Sequence, residues 1–362
     1  MTETFGITMN KIKVLIVDDS AIVRDVLSDK LSQFPYIDVI GVAQDPFIAR
    51  DKIVKLNPDV ITLDIEMPKM DGITFLEKLM RYFPIPVIIV SSVTANDKNA
   101  AIKALELGAF DVVNKPGGSL TVNDIYEEIA YKIKNAYQVK DSYISRQNLI
   151  KSNLLQTKKN PSTQIINSFV TTDKIIAIGS STGGTLALEY IFKNLPANLP
   201  PIVVVQHMPE NYTKQFAIRL NELSQINIKE AEDGEILTNG NVYIAKGGNH
   251  LIIERKGSSL FSKLINGEKI QFQKPSVDVL FNSLAKTCGK NVIAALLTGM
   301  GKDGAEGLLN IKNNGGFTII QDEESSVVWG MPKAAYDIGA YNKILSLNHI
   351  PINIVNFFSN SI

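Results

Sequence analysis

Five polar side chains in the first third of the chain each follow a short apolar run. They are Asp18, Asp19, Asp64, Ser91 and Lys115. Three carboxylates at one place would repel one another unless a hard cation lay between them, and Mg²⁺ prefers such oxygen ligands. A hydroxyl and an ammonium group opposite them could bind the oxygens of a phosphoryl group on one carboxylate. Each residue alone could be a helix cap or turn residue, but all five together predict a divalent-cation site for phosphoryl chemistry.

A second group of reactive residue types begins in the segment IIAIGSSTGGT, residues 175–185. An apolar strand that ends in a serine-bearing glycine turn presents a hydroxyl beside the N–H groups of a helix N-terminus, which can stabilise an oxyanion. The segment lacks the G-x-G-x-x-G of a dinucleotide site, and it has the glycine spacing of a P-loop without the lysine. The segment has the strand–turn–helix arrangement of a nucleophile elbow but not its G-x-S-x-G motif. A polar helix cap without chemistry fits the segment equally well.

His207 is the histidine best placed to activate a serine, because it comes directly after the next predicted strand. Of the other two histidines, His250 opens a predicted hairpin strand and His349 lies in the C-terminal segment, so we expect structural or surface roles for them. Asp303 lies in a glycine-rich turn after a further apolar run, where its carboxylate could fix the imidazole tautomer or cap the following helix. A serine, a histidine and an aspartate at three strand ends predict a triad for acyl transfer.

These residues must be positioned by strands that end at a common edge. In the first third, apolar runs alternate with segments whose apolar residues recur at three- and four-residue spacing, which is typical of alternating strands and helices. The predicted strands cover 13–17, 39–43, 60–63, 87–90 and 112–113, and the predicted helices cover 21–33, 46–56, 73–81, 97–107 and 121–136. Because these strands are apolar throughout, we expect a parallel sheet with helices on both faces, a doubly wound α/β fold whose ligands bind at the carboxyl ends of the strands.

From residue 174 the same rhythm resumes and predicts a second doubly wound α/β domain. Its predicted strands cover 175–178, 202–205, 292–297 and 317–320, and its predicted helices cover 184–194, 212–223 and 305–313. Residues 228–272 alternate short β runs with Gly and Asn turns, which indicates β-hairpins inserted into the sheet. Residues 138–173 are rich in Lys, Asn, Gln, Ser and Thr and predict a linker, with a short helix over 144–155.

Composition and charge exclude several classes of protein. The chain has 362 residues, with 37 basic and 37 acidic ones, so no excess of positive charge is available to drive binding to nucleic acid. The single cysteine, Cys288, cannot form an internal disulfide, which favours a reducing compartment. The N-terminus lacks the basic start and apolar stretch of a signal peptide, and no apolar run reaches the roughly 18 residues of a membrane span. We therefore expect a cytoplasmic protein with no nucleic-acid partner and no membrane insertion.

The motifs VLIVDDSAIVR, DIEMPKMDG, SS and NKP resemble those of the receiver domain of response regulators. The resemblance implies a flavodoxin-like, doubly wound parallel sheet of five strands. It also implies that Asp64 accepts a phosphoryl group, that Ser91 and Lys115 contact this group, and that Mg²⁺ is bound for the phosphorylation. The implied magnesium ligands are Asp18, Asp19, Asp64 and, through its backbone carbonyl, Glu66.

The motifs IGSSTGG, QHMP, KPSVDVLF, LLTGMGKDGAEGL and TIIQDEESSVVWGMPKAA resemble the catalytic domain of the protein-glutamate methylesterases of bacterial chemotaxis. The resemblance implies that Ser181 is the nucleophile, that His207 is the general base and then the general acid, and that Asp303 orients it. It places the oxyanion site at the backbone of Thr182 and Met300. Together the two resemblances divide the chain into a receiver at 11–137, a linker at 138–173 and a methylesterase domain at 174–362.

The implied activity is hydrolysis of glutamyl γ-methyl esters on methyl-accepting chemotaxis receptors, with deamidation of selected glutamines. The esterase reaction needs no cofactor, and a chemotaxis histidine kinase would activate the enzyme by phosphorylating Asp64. This sequence has Ser180 where the family usually has alanine, and Lys246 where it usually has proline. The alternative function is a receiver-regulated module that binds receptors without catalysis. A DNA-binding output domain is disfavoured, because the second half shows no basic recognition helix.

Overall fold

The computed structural model describes residues 11–92, 95–115, 122–143, 145–146, 174–210 and 212–359. The chain divides into two compact units, Met1–Ile144 and Ser145–Ile362. Most of the predicted linker, including most of the helix predicted over 144–155, lies outside the described residues. Across the ranges that are described, no helix combines the length and the apolar character that a membrane span requires.

The first unit is built on a five-stranded parallel sheet. Its strands are β1 (Ile12–Val17), β2 (Ile37–Ala43), β3 (Val60–Leu63), β4 (Val87–Ser91) and β5 (Asp111–Asn114). Its helices are α1 (Ala21–Ser32), α2 (Pro46–Leu56), α3 (Gly72–Tyr82), α4 (Ala95–Leu107) and α5 (Val122–Gln138). The strand order is β2-β1-β3-β4-β5 and every pairing is parallel. The winding reverses between β1 and β3, which confirms the doubly wound α/β prediction and locates its ligand-binding edge.

Capping side chains at the carboxyl edge fix where three of these helices begin. Ser20, Asp45 and Asp71 each accept a hydrogen bond from a backbone N–H in the first turn of α1, α2 and α3. The helical turn at residues 140–143 extends the unit beyond α5. There the buried Tyr143 hydroxyl donates to the Gly108 carbonyl at 3.1 Å. The first unit therefore packs residues beyond 137, the predicted end of the receiver.

The second unit is built on a seven-stranded parallel sheet. The strands of this unit are β6 (Ile175–Ser180), β7 (Ile202–Gln206), β8 (Asn227–Glu230), β9 (Asn241–Ile244), β10 (His250–Lys256), β11 (Ser259–Ile265), β12 (Val292–Leu296), β13 (Phe317–Gln321) and β14 (Lys343–Leu345), and all of them except β10 and β11 belong to this sheet. Its helices are α6 (Gly184–Lys193), α7 (Thr213–Leu223), α8 (Val277–Thr287), α9 (Ala305–Asn313), α10 (Met331–Asp337) and α11 (Ile350–Ser359). The sheet order is β14-β13-β12-β6-β7-β9-β8. The first strand, β6, lies inside the sheet and later strands add on both sides, so this unit is doubly wound as predicted.

The insertion predicted over 228–272 contains one hairpin rather than several. β10 and β11 pair antiparallel and form a separate two-stranded sheet. β8 and β9 instead pair parallel at one edge of the large sheet. The turn at 239–241 therefore leads the chain into β9 and does not close a hairpin. Turn residues specify a local change of direction, but they do not specify which strand the next segment will join.

Two adjacent strands run further than the sequence predicts, and their ends create the site. β6 extends to Ser180 and β7 to Gln206, and these two residues pair with each other. Ser181 and His207 are thus the first residues beyond neighbouring strands. Behind them, Gly179 packs directly on α8, because a Cβ at this position would lie 2.3 Å from a methyl group of Val277. α8 was not predicted from the sequence, yet it lies against β6, the strand that precedes Ser181.

Candidate functional site

Two buried carboxylates and a lysine meet at the carboxyl edge of the first sheet. Asp18 follows β1, Asp64 follows β3, and both are buried. The Lys115 ammonium group, just beyond β5, lies 2.8 Å from Asp18 Oδ2 and 2.7 Å from Asp64 Oδ2. Burial raises the pKa of Asp64 to about 6 against the lowering effect of Lys115, and the Asp18 charge adds to the rise. The lysine therefore holds together two carboxylates that would otherwise repel each other.

The carboxylates predicted to bind a cation lie together at this edge. Asp18, Asp19 and Asp64 each offer one oxygen, and these oxygens lie within 4.8 Å of one another. Glu66, the fourth predicted ligand, is on the loop two residues after Asp64. A set of oxygen donors with net negative charge fits Mg²⁺ better than a softer metal. The magnesium role of these residues stays a prediction that the donor chemistry supports.

Ser91 and Lys115 also lie at this edge, on neighbouring strands. Ser91 is the last residue of β4 and is buried. Its carbonyl accepts a hydrogen bond from the Lys115 N–H at 2.8 Å. Its hydroxyl donates to the Ser92 carbonyl at 3.3 Å, close to the limit for a hydrogen bond. This weak bond leaves the hydroxyl easy to redirect toward an anionic group.

In the second unit, residues 181–183 form a tight turn between β6 and α6, which we call the Ser181 turn. The Ser181 N–H donates to the Thr298 carbonyl at 3.0 Å, and the Ser181 carbonyl accepts from the Gly184 N–H at 2.7 Å. Gly183 has φ of +78°, and a Cβ there would lie 2.5 Å from Val327 Cβ. Only glycine readily adopts this positive φ and has no Cβ to clash with Val327. The turn therefore holds Ser181 at the N-terminus of α6.

His207 and Asp303 form a buried pair beside the Ser181 turn. The imidazole Nε2 lies 2.7 Å from Asp303 Oδ2, and both side chains are almost fully buried. The His207 N–H donates to the Ser180 carbonyl at 3.0 Å, which fixes the histidine next to the turn. His207 Nδ1 is buried and has no hydrogen-bond partner among the described residues. When Nε2 carries the proton shared with Asp303, Nδ1 has a free lone pair that can take a proton from a serine hydroxyl.

Four donors hold the Asp303 carboxylate. Besides the His207 ring, they are the Ser276 hydroxyl at 2.7 Å from Oδ1, the Val277 N–H at 2.7 Å from Oδ2 and the Asp278 N–H at 3.0 Å from Oδ1. Burial by itself raises the pKa of Asp303, but His207, the Asp278 N–H and the Ser276 hydroxyl lower it to about 2. The carboxylate is therefore ionised at neutral pH and can stabilise an imidazolium.

The alternative that Asp303 caps the helix after it is wrong. The N-cap of that helix, α9, is Gly304, which makes no side-chain cap bond. Asp303 instead faces the N-terminus of α8 and accepts hydrogen bonds from the first two N–H groups of that helix. The positive end of a helix dipole favours an anion at this position. In the sequence, residues 274–281 stand out only as the motif KPSVDVLF. Nothing in this motif indicates that it supplies hydrogen bonds to Asp303.

Gln206 joins the two strand ends, and sequence reasoning missed it. Its side-chain nitrogen lies 3.0 Å from both the Ser181 and the His207 carbonyl oxygens. Because these oxygens only accept, the amide NH₂ must face them, so Oε1 must accept the hydrogen bond from the Ser180 hydroxyl at 2.7 Å. Ser180 is fully buried and committed as a donor. This supports Ser181, rather than Ser180, as the attacking serine. The sequence signal that could have pointed to Gln206 was Ser180, where the family usually has alanine, because a buried serine hydroxyl needs a hydrogen-bond partner.

The predicted oxyanion residues lie close to Ser181: Thr182 follows it directly, and Met300 follows Gly299, which packs against it. The N–H groups of Thr182 and Met300 donate to no acceptor within the described ranges. The Thr298 hydroxyl donates to the Thr182 carbonyl at 2.9 Å and ties the loop after β12 to the Ser181 turn. Gly299 comes so close that a Cβ on it would lie 2.7 Å from Ser181 Cβ. The loop that carries Met300 is therefore next to Ser181, the predicted nucleophile, where N–H groups without an acceptor could stabilise a developing oxyanion.

The two remaining histidines lie outside this group. His349 is exposed, and its Nδ1 lies 2.8 Å from the Ser346 hydroxyl. His250 is buried, and both of its ring nitrogens have hydrogen-bond partners. The structure thus brings one histidine, His207, to the edge that carries Ser181 and Asp303, as the sequence predicts.

Both units match known families. The CheB methylesterase family matches residues 176–354, and the response regulator receiver domain family matches residues 14–127. A relative from Syntrophus aciditrophicus (strain SB), named protein-glutamate methylesterase/protein-glutamine glutaminase 2, is 49% identical over 348 residues, which is 96% of this chain and 99% of the relative. A relative from Sulfurimonas denitrificans, named protein-glutamate methylesterase/protein-glutamine glutaminase, is 48% identical over 350 residues with the same coverage.

A solved structure resembles the second unit. The CheB methylesterase catalytic domain of Thermotoga maritima is 43% identical and superimposes with a TM-score of 0.51. It covers 51% of this chain, and this chain covers 99% of it. The shared catalytic-domain fold and the matches along nearly the whole chain are the outside evidence for what the site does.

Proposed function

The chain belongs to the CheB methylesterase family, and from this premise we propose that Ser181, His207 and Asp303 are its catalytic triad. The relatives that it matches over nearly their whole length are protein-glutamate methylesterases and protein-glutamine glutaminases, so this chain is an enzyme of that kind. One observation carries the residue assignment. His207 Nε2 lies 2.7 Å from the ionised Asp303, while the buried Nδ1, beside the Ser181 turn, has no hydrogen-bond partner in the described part of the chain.

In the first half of the reaction, His207 Nδ1 removes the proton from Ser181 Oγ as this oxygen attacks the γ-carbonyl carbon of a methylated glutamate. The carbonyl oxygen becomes an oxyanion, which the N–H groups of Thr182 and Met300 stabilise. Asp303 stabilises the imidazolium that forms. The tetrahedral intermediate then collapses, the bond to the methoxy oxygen breaks, and His207 returns the proton so that methanol leaves. The product is a glutamyl ester of Ser181.

In the second half, water replaces methanol. His207 Nδ1 removes a proton from the water molecule as its oxygen attacks the acyl carbon, and the same donors hold the second oxyanion. Collapse releases the free glutamate carboxyl group and returns the proton to Ser181 Oγ. A glutamine side chain enters the same sequence with ammonia as the leaving group, because the attacked carbon is again an acyl carbon with one heteroatom substituent. One site therefore accounts for both activities in the name of the relatives.

The substrates that we propose are methyl-accepting chemotaxis receptors. The first unit matches the receiver family, and we propose that a chemotaxis histidine kinase phosphorylates Asp64. Lys115 lies 2.7 Å from the Asp64 carboxylate and would neutralise charge on the phosphoryl group, with Ser91 as a hydroxyl donor beside it. Asp18, Asp19, Asp64 and the Glu66 carbonyl would hold Mg²⁺, which supplies charge neutralisation at the phosphoryl oxygens.

The first test measures methanol release from a methylated receptor by the full chain. Ser181→Ala is expected to lower kcat by at least about 1000-fold, because nucleophile removal disables a triad that acts as a unit. Its matched control is Ser180→Ala in the neighbouring position. Because this change removes one buried hydrogen bond, it is expected to lower kcat by about tenfold or less. Wild-type methanol release by Ser181→Ala would show that the triad assignment is wrong.

A further inference from the structure

His250 is a buried histidine that the mechanism above does not use. It begins β10, is 2% exposed, and has two hydrogen-bond partners. Its Nε2 lies 2.9 Å from the Glu268 carbonyl oxygen, and its Nδ1 lies 3.1 Å from the Ser276 N–H. A carbonyl oxygen only accepts and a backbone N–H only donates. Nε2 must therefore carry the proton and Nδ1 must not, so the two partners fix one neutral tautomer of this ring.

Ser276 connects this ring to the catalytic carboxylate. Its N–H is bound to His250, while its hydroxyl donates to Asp303 Oδ1 at 2.7 Å. The next two residues, Val277 and Asp278, direct their N–H groups at the same carboxylate. Within the described part of the chain, three consecutive residues, 276–278, thus give the side-chain hydrogen bonds of Asp303 other than the one to His207. We call residues 276–278 the Asp303 clamp.

The position of the clamp depends on an acceptor for the Ser276 N–H. Ser276 is fully buried, so loss of the acceptor leaves a buried donor unpaired, which is costly. The clamp would then shift to find another partner. Asp303 would move with it, and the hydrogen bond between Asp303 and His207 Nε2 would become longer or less linear. Among the described residues, the His250 ring hydrogen-bonds to the Glu268 carbonyl and the Ser276 N–H and not to Ser181, Thr182 or Met300.

We propose that His250 is a positioning residue of the esterase, whose unprotonated Nδ1 holds the Asp303 clamp in place and so orients the triad. The inference rests on the proposed triad and extends it by one more layer of buried hydrogen bonds. Groups behind catalytic histidines and carboxylates commonly set their orientation in this way. His250, for which the sequence predicts a structural or surface role, thus orients His207 indirectly, through Ser276 and Asp303.

Two variants separate this role from simple packing. His250→Asn keeps an acceptor oxygen near the place of Nδ1, whereas His250→Gln places its amide near the place of Nε2 and leaves the Ser276 N–H unpaired. We expect His250→Gln to lower kcat for methanol release by about tenfold, with KM unchanged, because one buried bond is lost and no substrate contact is altered. His250→Asn is expected to keep kcat within about threefold of the wild type. The exposed His349→Gln is the matched control.

The same full-length proteins give a spectroscopic readout. The proton between His207 Nε2 and Asp303 should give a downfield ¹H NMR resonance, which His250→Gln shifts or broadens and His250→Asn preserves. Equal kcat in the Asn and Gln variants, or a wild-type resonance in His250→Gln, would overturn the proposal. Ser181→Ala separates the two levels of the argument. If that variant stays active, the triad itself fails, whereas an inactive Ser181→Ala with a fully active His250→Gln removes only the role of His250.

Discussion

The proposed mechanism needs one unprotonated nitrogen on the His207 imidazole, and Asp303 favours this state by accepting the proton of the other nitrogen in a hydrogen bond. The 2.7 Å bond uses Nε2, which leaves Nδ1 available to receive the serine proton in the proposed mechanism. In the chymotrypsin arrangement the two ring nitrogens have the opposite roles. Either arrangement works chemically, because each nitrogen of a neutral imidazole can be the acceptor when the other is protonated. The orientation here follows from where the strands carry the two residues.

The first residue-scale prediction concerns Gln206. Gln206→Met keeps most of the side-chain volume but removes the donor of two hydrogen bonds and the acceptor of a third. We expect kcat for methanol release to fall by about tenfold or more and the free energy of unfolding to fall by about 2–3 kcal/mol, because buried polar groups lose their partners. The exposed Gln225→Met is the control, measured by steady-state kinetics and denaturant unfolding. Unchanged kcat in Gln206→Met would contradict the positioning role.

The second residue-scale prediction is a pH dependence of the receiver unit. The pKa of Asp64 is raised to about 6 in the fold, so the folded state binds this proton more tightly than the unfolded chain does. The stability contributed by the protonated group is therefore fully present below about pH 4 and is lost as pH rises through about 6, by up to about 3 kcal/mol. Asp64→Asn should remove this dependence.

Native-state hydrogen exchange of the β1 and β3 amides, in magnesium-free buffer at pH 4.5 and 7.5, measures it. Asp51→Asn at an exposed position is the matched control. If the wild type and Asp64→Asn lose stability equally between these two pH values, Asp64 is not the group that titrates.

At the scale of elements, the site depends on the connections that follow β6, β7 and β12. Parallel strands bring their carboxyl ends to one edge, so short turns after each strand can place a serine, a histidine and an aspartate together. β6 lies between β7 and β12, and each neighbour delivers one partner to the Ser181 turn. The order of the proposed triad along the chain, Ser, His, Asp, therefore follows from which strand precedes each residue.

The element-scale prediction concerns Gly183. Gly183→Ala should destabilise the second unit by more than about 2 kcal/mol, because it adds a left-handed backbone penalty to a clash with Val327. Gly234→Ala is the matched control. Gly234 has φ of +72° but open space around its Cβ position, so only the backbone penalty of about 1 kcal/mol applies. Thermal unfolding and methanol release are the measurements. Equal destabilisation by the two variants would show that the Ser181 turn tolerates a side chain.

At the scale of the whole molecule, the chain combines a receiver unit with a methylesterase unit. The first unit carries the carboxylate cluster around Asp64, and the second unit carries Ser181, the proposed nucleophile. Phosphorylation of Asp64 is proposed to change the rate at Ser181, which requires that the state of the first unit alters the access or the geometry of the second. Such regulation follows from an equilibrium between less active and more active states, which the phosphoryl group shifts.

The whole-molecule prediction is that a small phosphodonor raises methanol release by the wild type in the presence of Mg²⁺. Asp64→Asn is expected to give the same rate with and without the phosphodonor, because an amide cannot accept the phosphoryl group. Removal of Mg²⁺ with a chelator should abolish the stimulation of the wild type. Asp51→Asn, which changes an exposed carboxylate, should keep it. Stimulation that persists in Asp64→Asn would place the phosphorylation site at another residue.

The sequence by itself determined most of the strands and helices that carry the site, although it ended β6 and β7 too early and did not predict α8. Continuous apolar runs separated by helical spacing are local signals, and they predicted the parallel strands that carry Asp64, Ser181, His207 and Asp303. It failed at β8 and β9, where Gly and Asn turns were interpreted as hairpins although the strands pair parallel. Local turn chemistry cannot specify a pairing partner, because that choice depends on the burial of surface from distant parts of the chain.

Only the tertiary structure decided how the candidate triad is held. The His207 to Asp303 bond spans 96 residues, and the bond from Ser276 to Asp303 spans 27. These distant contacts decide which imidazole nitrogen faces Asp303 and which helix N-terminus donates to its carboxylate. They also decide that the Gln206 NH₂ group points at two carbonyl oxygens. No periodicity in the sequence encodes them, because a hydrogen bond needs a distance and a direction in space, and both exist only after the sheet has brought the strand ends together.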